Sequence, residues 1–233
     1  MHANSTPVRT AQQRPHEDLA RQIERALGAA WQRPIAEHTR QAFEQAQTWR
    51  AARTGPLILD AGCGVGLSTR ELARRQPDHS VIGIDRSAER LGRDLSRSWG
   101  ELPDNALLLR ADLVDFWRLA LAAGWQPEQH YLLYPNPWPK VSQLKRRWQG
   151  HPVLPTLLAL GGTLELRSNW RIYVEEFAQA IELVCGLAPL VEWWQPEIPM
   201  TPFERKYKES GQSLWRLVCR LPHRESPYTR KTQ

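Results

Sequence analysis

The chain has 233 residues, 41% of them hydrophobic, which suffices for one α/β domain with its own core and a small appendage. It carries 31 Lys and Arg against 25 Asp and Glu, and the net charge of +6 favours a polyanionic partner. Its three cysteines form no Cys-x-x-Cys pair, so neither a zinc ribbon nor a disulfide scaffold is indicated, and no metal site is predicted. No stretch reads as a signal peptide or a membrane span, so we expect a cytoplasmic protein without a membrane partner.

The two ends of the chain are expected to lie outside the main domain. Residues 1–15 are polar, and their composition predicts a disordered tail. Residues 16–53 show helical spacing of apolar side chains on both sides of Pro34, which predicts a helical extension that packs across the domain or lines its mouth. The predicted domain covers residues 54–222, and residues 223–233 form a basic tail.

Strand and helix patterns alternate through the predicted domain. Short apolar runs predict strands at Leu57–Asp60, Val81–Asp85, Leu107–Arg110, Tyr131–Tyr134 and Thr163–Ser168. Helices are predicted at Ser68–Arg75, Ala88–Trp99, Val153–Leu160 and Tyr173–Cys185. Two last strands, Val191–Trp194 and Leu214–Arg220, are joined by a predicted loop over Pro196–Gln212. This order predicts a doubly wound α/β fold whose mostly parallel sheet is closed by an antiparallel C-terminal hairpin.

A glycine-rich turn, Gly62-Cys63-Gly64-Val65-Gly66, follows the first strand. Glycine lets the backbone approach a ligand closely at the strand ends of such a sheet. The spacing Gly-x-Gly-x-Gly differs from the dinucleotide fingerprint, and Asp60 before it would repel a pyrophosphate and attract an ammonium. The turn therefore suits S-adenosylmethionine, which carries an ammonium group on its amino acid moiety.

Two further acids follow the next two strands. Asp85 ends the second strand, where a carboxylate can accept hydrogen bonds from both ribose hydroxyls. Asp112 follows the third strand, where a side chain can meet the adenine amino group. One acid at a strand end is often only a helix cap, but three beside a glycine-rich turn are hard to obtain by chance. We therefore predict S-adenosylmethionine as the cofactor, with contacts from Asp60, Gly62, Gly64, Gly66, Asp85, Asp112 and Asn136.

The fourth strand ends in the substrate loop, Tyr134–Lys140, which reads Tyr-Pro-Asn-Pro-Trp-Pro-Lys. Its prolines would hold Asn136 rigidly at the strand tip, beside a tryptophan that can stack on a base. A basic cluster follows within an acid-free stretch between Glu128 and Glu165, which favours phosphate contacts over an ordinary solvated face. The predicted RNA phosphate contacts are Lys145, Arg146 and Arg147.

These motifs resemble those of the bacterial tRNA (guanine-N7)-methyltransferases, a family of class I S-adenosylmethionine-dependent enzymes. The resemblance covers Leu57–Arg220 and includes Ser168-Asn169-Trp170, Thr201–Glu204 and Leu214-Trp215. It implies transfer of a methyl group from S-adenosylmethionine to N7 of a guanine in tRNA. It also implies that Asn136 occupies the active-site position and that the substrate is bound by Lys140, Asn169, Thr201, Pro202, Phe203 and Glu204.

The chain departs from the family pattern at the substrate site. Asn136 and Asn169 stand where the family has Asp, and Pro202 replaces a Lys. Guanine N7 has a free lone pair and loses no proton, so the transfer needs alignment rather than a general base. A carboxylate would stabilise the cationic product, so Asn136 is expected to cost a few kcal/mol of transition-state stabilisation without abolishing the reaction. Glu204 is the candidate to supply the missing carboxylate.

Alternative interpretations stay open at this point. The Asn-Pro-Trp sequence is similar to the Asn-Pro-Pro-aromatic loop of amino-methylating enzymes, but it is one Pro short. The substrate could be another RNA base or a small molecule, or the chain could be an RNA-binding relative in which Asn136 and Asn169 weaken turnover. Thr201–Glu204 also has the form of a helix-capping box. The oligomeric state is left open between monomer and homodimer.

Overall fold

The computed structural model describes residues 5–29, 31–93 and 99–226. The strands are β1 (Leu57–Ala61), β2 (Ser80–Asp85), β3 (Ala106–Arg110), β4 (Gln129–Leu133), β5 (Gly162–Ser168), β6 (Val191–Trp194) and β7 (Leu214–Leu221). The helices are α1 (Leu19–Gly28), α2 (Glu37–Ala51), α3 (Leu67–Arg75), α4 (Ala88–Leu91), α5 (Leu113–Ala122), α6 (Leu154–Ala159), α7 (Arg171–Cys185) and α8 (Pro202–Glu209). Two 3₁₀ turns follow the substrate loop, at Val141–Arg146 and Trp148–Gly150.

The strands form one sheet in the order β3-β2-β1-β4-β5-β7-β6. Strands β1 to β5 are parallel, whereas β7 runs antiparallel to both β5 and β6. The predicted doubly wound α/β fold, with a mostly parallel sheet and antiparallel C-terminal strands, is confirmed. Because parallel strands end at the same edge of a sheet, the residues that follow β1, β2, β3 and β4 gather there.

Alternating side chains of β1 divide the core into two layers. Ile58 packs on one face with side chains of α3, whereas Leu57 and Leu59 belong to the larger cluster on the other face. That larger cluster includes Leu19 of α1 and Phe43 of α2, both buried. Full burial of such a side chain contributes about 1.5–3 kcal/mol, so the two N-terminal helices are integral to the core.

Two helices were not among those predicted, although the capping-box alternative at Thr201–Glu204 marks the start of the second. α5 directly follows Asp112. Its apolar residues lie on most sides of the helix and include the adjacent Phe116 and Trp117, which are both fully buried. α8 lies inside Pro196–Gln212, which was predicted as a loop, so β6 and β7 are not a simple hairpin. The predicted helix Ala88–Trp99 begins at Ala88 as α4, but α4 ends at Leu91, and residues 94–98 lie outside the described residues.

The prediction of a disordered N-terminal tail is wrong for residues 5–15. This segment forms no helix or strand, but it contacts the domain through hydrogen bonds to residues distant in sequence. Thr10 Oγ1 donates to the carbonyl of Pro139 at 2.7 Å, and Gln12 Nε2 donates to Glu176 Oε1 at 2.6 Å. The polar side chains of this segment therefore have hydrogen-bond partners in the domain, although its composition predicted disorder. Residues 1–4 and most of the predicted basic tail, residues 227–233, lie outside the described residues.

Across the part of the chain that the structure describes, no helix is both long and apolar enough to cross a membrane. Within the same residues, no three His, Cys, Asp or Glu side chains form a group that could hold a metal ion.

Candidate active site

The glycine turn after β1 is built from left-handed backbone. Gly62, Gly64 and Gly66 have φ values of 83°, 62° and 78°, which other residues adopt only with strain. A Cβ atom on Gly66 would lie 2.7 Å from a methyl carbon of Leu108, so that position has no room for a side chain. A Cβ atom on Gly64 would meet no heavy atom within 4 Å. The turn is therefore open at Gly64, where a ligand can approach the backbone.

Asp60 is buried at the end of β1 and faces the start of α3. Its Oδ2 accepts hydrogen bonds from Ser68 Oγ at 2.6 Å and Thr69 Oγ1 at 2.7 Å. Burial raises the pKa of Asp60 to about 6; the two hydroxyls oppose this rise in pKa and the charge of Asp85 adds to it. The carboxyl group thus has hydroxyl partners and an environment that disfavours its own negative charge.

Asp85 connects the end of β2 to the glycine turn. Its Oδ2 accepts a hydrogen bond from Gly64 N at 2.9 Å, and its Oδ1 accepts one from Ser87 N at 2.8 Å. The Arg90 guanidinium lies 3.7 Å from Oδ2. A carboxylate has about four acceptor sites, so Asp85 retains capacity for hydroxyl donors of a ligand.

Asp112 is the N-cap of α5. Its Oδ1 accepts a hydrogen bond from Val114 N at 2.9 Å, so the capping interpretation of this acid holds as well. His151 lies near enough for the charge of Asp112 to act on it: burial lowers the pKa of His151 to about 4, and Asp112 opposes that decrease. The ring centroid of Trp31 lies 5.4 Å from that of His151. The sequence motifs did not predict this contact between Trp31 and His151, because the two residues are distant in sequence.

The substrate loop displays Asn136 between two strained residues. Tyr134 and Trp138 have φ values of 53° and 45°, and each such left-handed conformation costs about 1–2 kcal/mol. Asn136 is exposed, and its Oδ1 accepts only a long hydrogen bond of 3.4 Å from Trp138 N. It follows β4 and so lies at the same sheet edge as the three acids. Lys140, at the end of the loop, is also exposed.

The basic cluster after the substrate loop divides into exposed and buried residues. Lys145 and Arg146 are exposed, and the Arg146 guanidinium lies 4.8 Å from the centroid of the Trp138 ring. Arg147 is fully buried, and its Nη1 donates to both carboxylate oxygens of Glu176 at 2.8 and 2.9 Å. The prediction that Arg147 contacts RNA phosphate is therefore wrong, because its guanidinium has no access to solvent.

The segment Thr201–Glu204 also differs from its predicted role. Glu204 is fully buried, with Oε1 accepting hydrogen bonds from Tyr134 Oη at 2.7 Å and Arg167 Nη1 at 3.0 Å. Thr201 is buried and caps α8 by accepting a hydrogen bond from Glu204 N at 2.9 Å. Glu204 has no exposed surface, so the prediction that it binds substrate is wrong and it cannot replace a carboxylate at Asn136. The helix-cap interpretation of Thr201 is confirmed. Thr201 is 7% exposed, and its substrate-binding role stays a prediction. Pro202 and Phe203 are exposed.

Asn169 is half-buried just after β5. Its Nδ2 donates to Gln212 Oε1 at 2.9 Å, and Gln212 Nε2 donates to the carbonyl of Ser5 at 2.8 Å. This amide chain joins the end of β5 to the N-terminal segment. Sequence patterns also missed Glu176, a buried acid on α7, although an acid among Tyr173, Val174 and Phe177 was a visible signal.

Comparison with known proteins gives an independent indication of the family. Residues 54–217 match the family model described as "Putative methyltransferase". The tRNA (guanine-N(7)-)-methyltransferase of Leifsonia xyli is 30% identical over 176 residues, covering 72% of this chain and 77% of that protein. The tRNA (guanine-N(7)-)-methyltransferase of Pseudoalteromonas atlantica is 26% identical over 208 residues, covering 86% of each chain.

A solved structure described as an antibiotic-related methyltransferase superposes with a TM-score of 0.56 at 17% identity, covering 81% of this chain and 100% of that one. At that identity the likeness concerns the fold alone. The sheet order, the glycine turn and the matched family model define a methyltransferase of class I architecture. Within that class, the chain belongs to the bacterial tRNA (guanine-N7)-methyltransferase family.

Proposed function

We propose that this protein transfers a methyl group from S-adenosylmethionine to N7 of a guanine in tRNA, and that it does so in the cytoplasm. The observation that carries the proposal is the common sheet edge at which the open glycine turn, the acids after β1 to β3 and Asn136 all lie. Family membership gives the reaction and its substrate class. The geometry supports the roles proposed below for individual residues.

The residues at the sheet edge fit the proposed cofactor. Gly64 leaves space for a ligand against the backbone, and Asp85 keeps acceptor capacity for the two ribose hydroxyls. Asp112, the N-cap of α5, is proposed to accept from the adenine amino group. Asp60 lies buried behind the turn, and a cationic ligand group beside it would offset the burial that disfavours its negative charge. When bound, S-adenosylmethionine supplies an electrophilic methyl group on a sulfonium.

Exposed residues around the substrate loop are the candidates to hold the guanine. Asn136 offers one carbonyl oxygen and one amide donor to the base edge, and the proposed partners around it are Lys140, Asn169, Pro202 and Phe203. Because N7 loses no proton, these groups need only align its lone pair with the methyl group. Lys145 and Arg146 supply positive charge for the tRNA backbone.

A second candidate function follows from Asn136. Because Glu204 is buried, it cannot supply the carboxylate that is missing at the exposed Asn136. A relative that binds cofactor and tRNA but turns over slowly is therefore the alternative.

The deciding experiment incubates the protein with labelled S-adenosylmethionine and bulk tRNA, then maps the modified nucleosides. We expect 7-methylguanosine as the product, and tRNA binding that weakens steeply as salt rises. Any other methylated nucleoside would overturn the proposal. Cofactor and tRNA binding without product would favour the slow relative, and methylation of a small molecule without salt-sensitive tRNA binding would favour a different substrate class.

A further inference from the structure

A fully buried ion pair lies directly behind the substrate loop. Arg147 and Glu176 are both 0% exposed, with Arg147 Nη1 between the two carboxylate oxygens. Burying two charges is costly unless their remaining hydrogen-bonding groups are also satisfied. The positions of those other partners therefore show what the pair holds together.

Glu176 connects helix α7 to the segments around it. Its Oε2 also accepts a hydrogen bond from Gln149 Nε2 at 2.8 Å, and its Oε1 accepts one from His16 N at 3.1 Å. Tyr173 lies one turn earlier on the same face of the helix, and its hydroxyl accepts a hydrogen bond from Trp148 N at 3.2 Å. The start of α7 is thus a fixed platform for residues 147–149.

Arg147 uses its other donors on the substrate loop itself. Its Nε donates to the carbonyl of Trp138 at 3.1 Å, and its Nη2 donates to the carbonyl of Lys140 at 3.3 Å. The guanidinium also lies 4.7 Å from the centroid of the Trp170 ring. Strained backbone persists only where its surroundings over-determine it, and Trp138 has a φ of 45°. The fork of Arg147 supplies two such constraints on the loop that displays Asn136.

Residues 10–16, here named the N-terminal strap, also contact the substrate loop and the residue that follows it. Thr10 Oγ1 donates to the carbonyl of Pro139 at 2.7 Å, and a ring nitrogen of His16 lies 3.2 Å from the carbonyl of Val141. Gln12 joins the strap to the ion pair, because its Oε1 accepts from Arg147 Nη2 at 3.0 Å while its Nε2 donates to Glu176.

We propose that Arg147 is a positioning residue for Asn136, and that the N-terminal strap completes this clamp through Gln12. The inference rests on the proposed function for the role of Asn136. Arg147 touches neither cofactor nor base; it acts through the carbonyls of Trp138 and Lys140. Because misplacement by 1 Å can cost about 100-fold in rate, loosening the loop is expected to lower kcat.

The first test compares Gln12→Ala with Gln13→Ala, its exposed neighbour. Loss of the two charge-assisted hydrogen bonds of Gln12, to Arg147 and to Glu176, predicts a kcat about tenfold lower for Gln12→Ala, with the KM for tRNA unchanged. Hydrogen exchange of the amides in residues 136–144 is expected to be faster in this variant. The Gln13→Ala control is expected to match the unmodified protein in every measurement. A raised KM with unchanged exchange would make Gln12 an RNA contact and overturn the clamp.

The second test is Arg147→Lys, which keeps a cation beside Glu176 but cannot reach both loop carbonyls with one ammonium group. We expect a larger fall in kcat than in Gln12→Ala, and faster exchange in the loop. A folded Arg147→Lys protein with unaltered kcat and exchange would refute the proposal; if this variant does not fold, the Gln12 pair decides. Absence of 7-methylguanosine from the unmodified protein overturns the proposed function alone, because loop exchange tests the clamp without turnover.

Discussion

The two halves of the active-site edge are built on different principles. The cofactor half, at the ends of β1, β2 and β3, depends on backbone shape: left-handed glycines, and acids that accept from hydroxyls and amides. The substrate half, around β4 and β5, depends on buried ion pairs. Its charged residues divide into those that face solvent, such as Lys140, and those that face inward, such as Arg147 and Glu204.

These inward-facing charged residues are connected to the substrate loop by hydrogen bonds. At its start, Tyr134 is fixed by its hydroxyl to Glu204 and by its N–H to the carbonyl of Arg167, while Arg167 pairs with Glu204. At its other strained residue, Trp138, the carbonyl is held by Arg147. Each strained flank of Asn136 thus has its own buried ion pair. A charged residue in a substrate motif can therefore support the site without touching the substrate.

The strongest test of this comparison is Glu204→Ala. The variant removes one of the two carboxylates that pair with buried Arg167, the other being Glu165, and it removes the acceptor of Tyr134 Oη. We therefore expect it to lower the free energy of unfolding by about 3 kcal/mol, the lower end of the range for breaking a buried ion pair. Urea unfolding measures this, with the exposed Glu209→Ala on the same helix as the control, expected to change little. Normal stability combined with lost methylation would restore the substrate-binding role of Glu204.

The sequence predicted the fold and the cofactor half more fully than the substrate half, for physical reasons. Strand ends and glycine conformations follow from local patterns, so Asp85 and Gly64 lie at the edge where the motif indicated. Burial of Arg147 depends on Glu176, which lies 29 positions away, and no local pattern reports such a pairing. The disorder predicted from polar composition failed at Gln12 for the same reason, since its partners are remote in sequence.

A second test concerns Asp60, whose partners are hydroxyls, whereas Glu176 and Glu204 pair with arginines. Its pKa is raised from 3.8 to about 6, chiefly by burial. The folded state therefore favours the protonated acid, so this group's stabilising contribution is present below pH 3.8 and is lost as pH rises through about 6. The full change is about 3 kcal/mol.

Comparison with Asp60→Asn isolates this contribution from that of the other acids. The difference in unfolding free energy between the unmodified protein and Asp60→Asn is expected to fall as pH rises from 3.8 to about 6. The exposed Asp78→Asn serves as the control for removing a carboxylate from the surface. A flat difference for Asp60→Asn would mean that burial does not perturb this carboxyl.

A third test addresses the cofactor half directly. Asp85→Asn removes the charge that is proposed to face the ligand while keeping one oxygen for Gly64 N. Hydrogen bonds to a charged group contribute about 1.5–3 kcal/mol, so the Kd for S-adenosylmethionine is expected to rise about tenfold or more. Calorimetric titration measures it, again beside Asp78→Asn. An unchanged Kd would remove Asp85 from the cofactor site and weaken the contrast between the two halves.

The smallest effect is expected at Asn136, where the two halves meet. Asn136→Asp places a carboxylate at the exposed tip of the substrate loop, where it can stabilise the positive charge that develops on the methylated guanine. One favourable electrostatic contact at a solvent-exposed site predicts a kcat about tenfold higher. Steady-state methylation of tRNA measures this, with Asn136→Ala as the matched variant that lacks both the amide and the charge.

We expect kcat to be highest for Asn136→Asp, intermediate for the unmodified protein and lowest for Asn136→Ala. Asn136 is also a predicted cofactor contact, so the Kd for S-adenosylmethionine is measured for all three proteins to separate an effect on cofactor binding from an effect on the base. If Asn136→Asp leaves methylation unchanged or lower, the electrostatic argument fails. The amide of Asn136 would then be the group that the substrate half presents to the base. The buried ion pairs of that half would hold one hydrogen-bond donor and one acceptor in place, and the reaction would require no charge there.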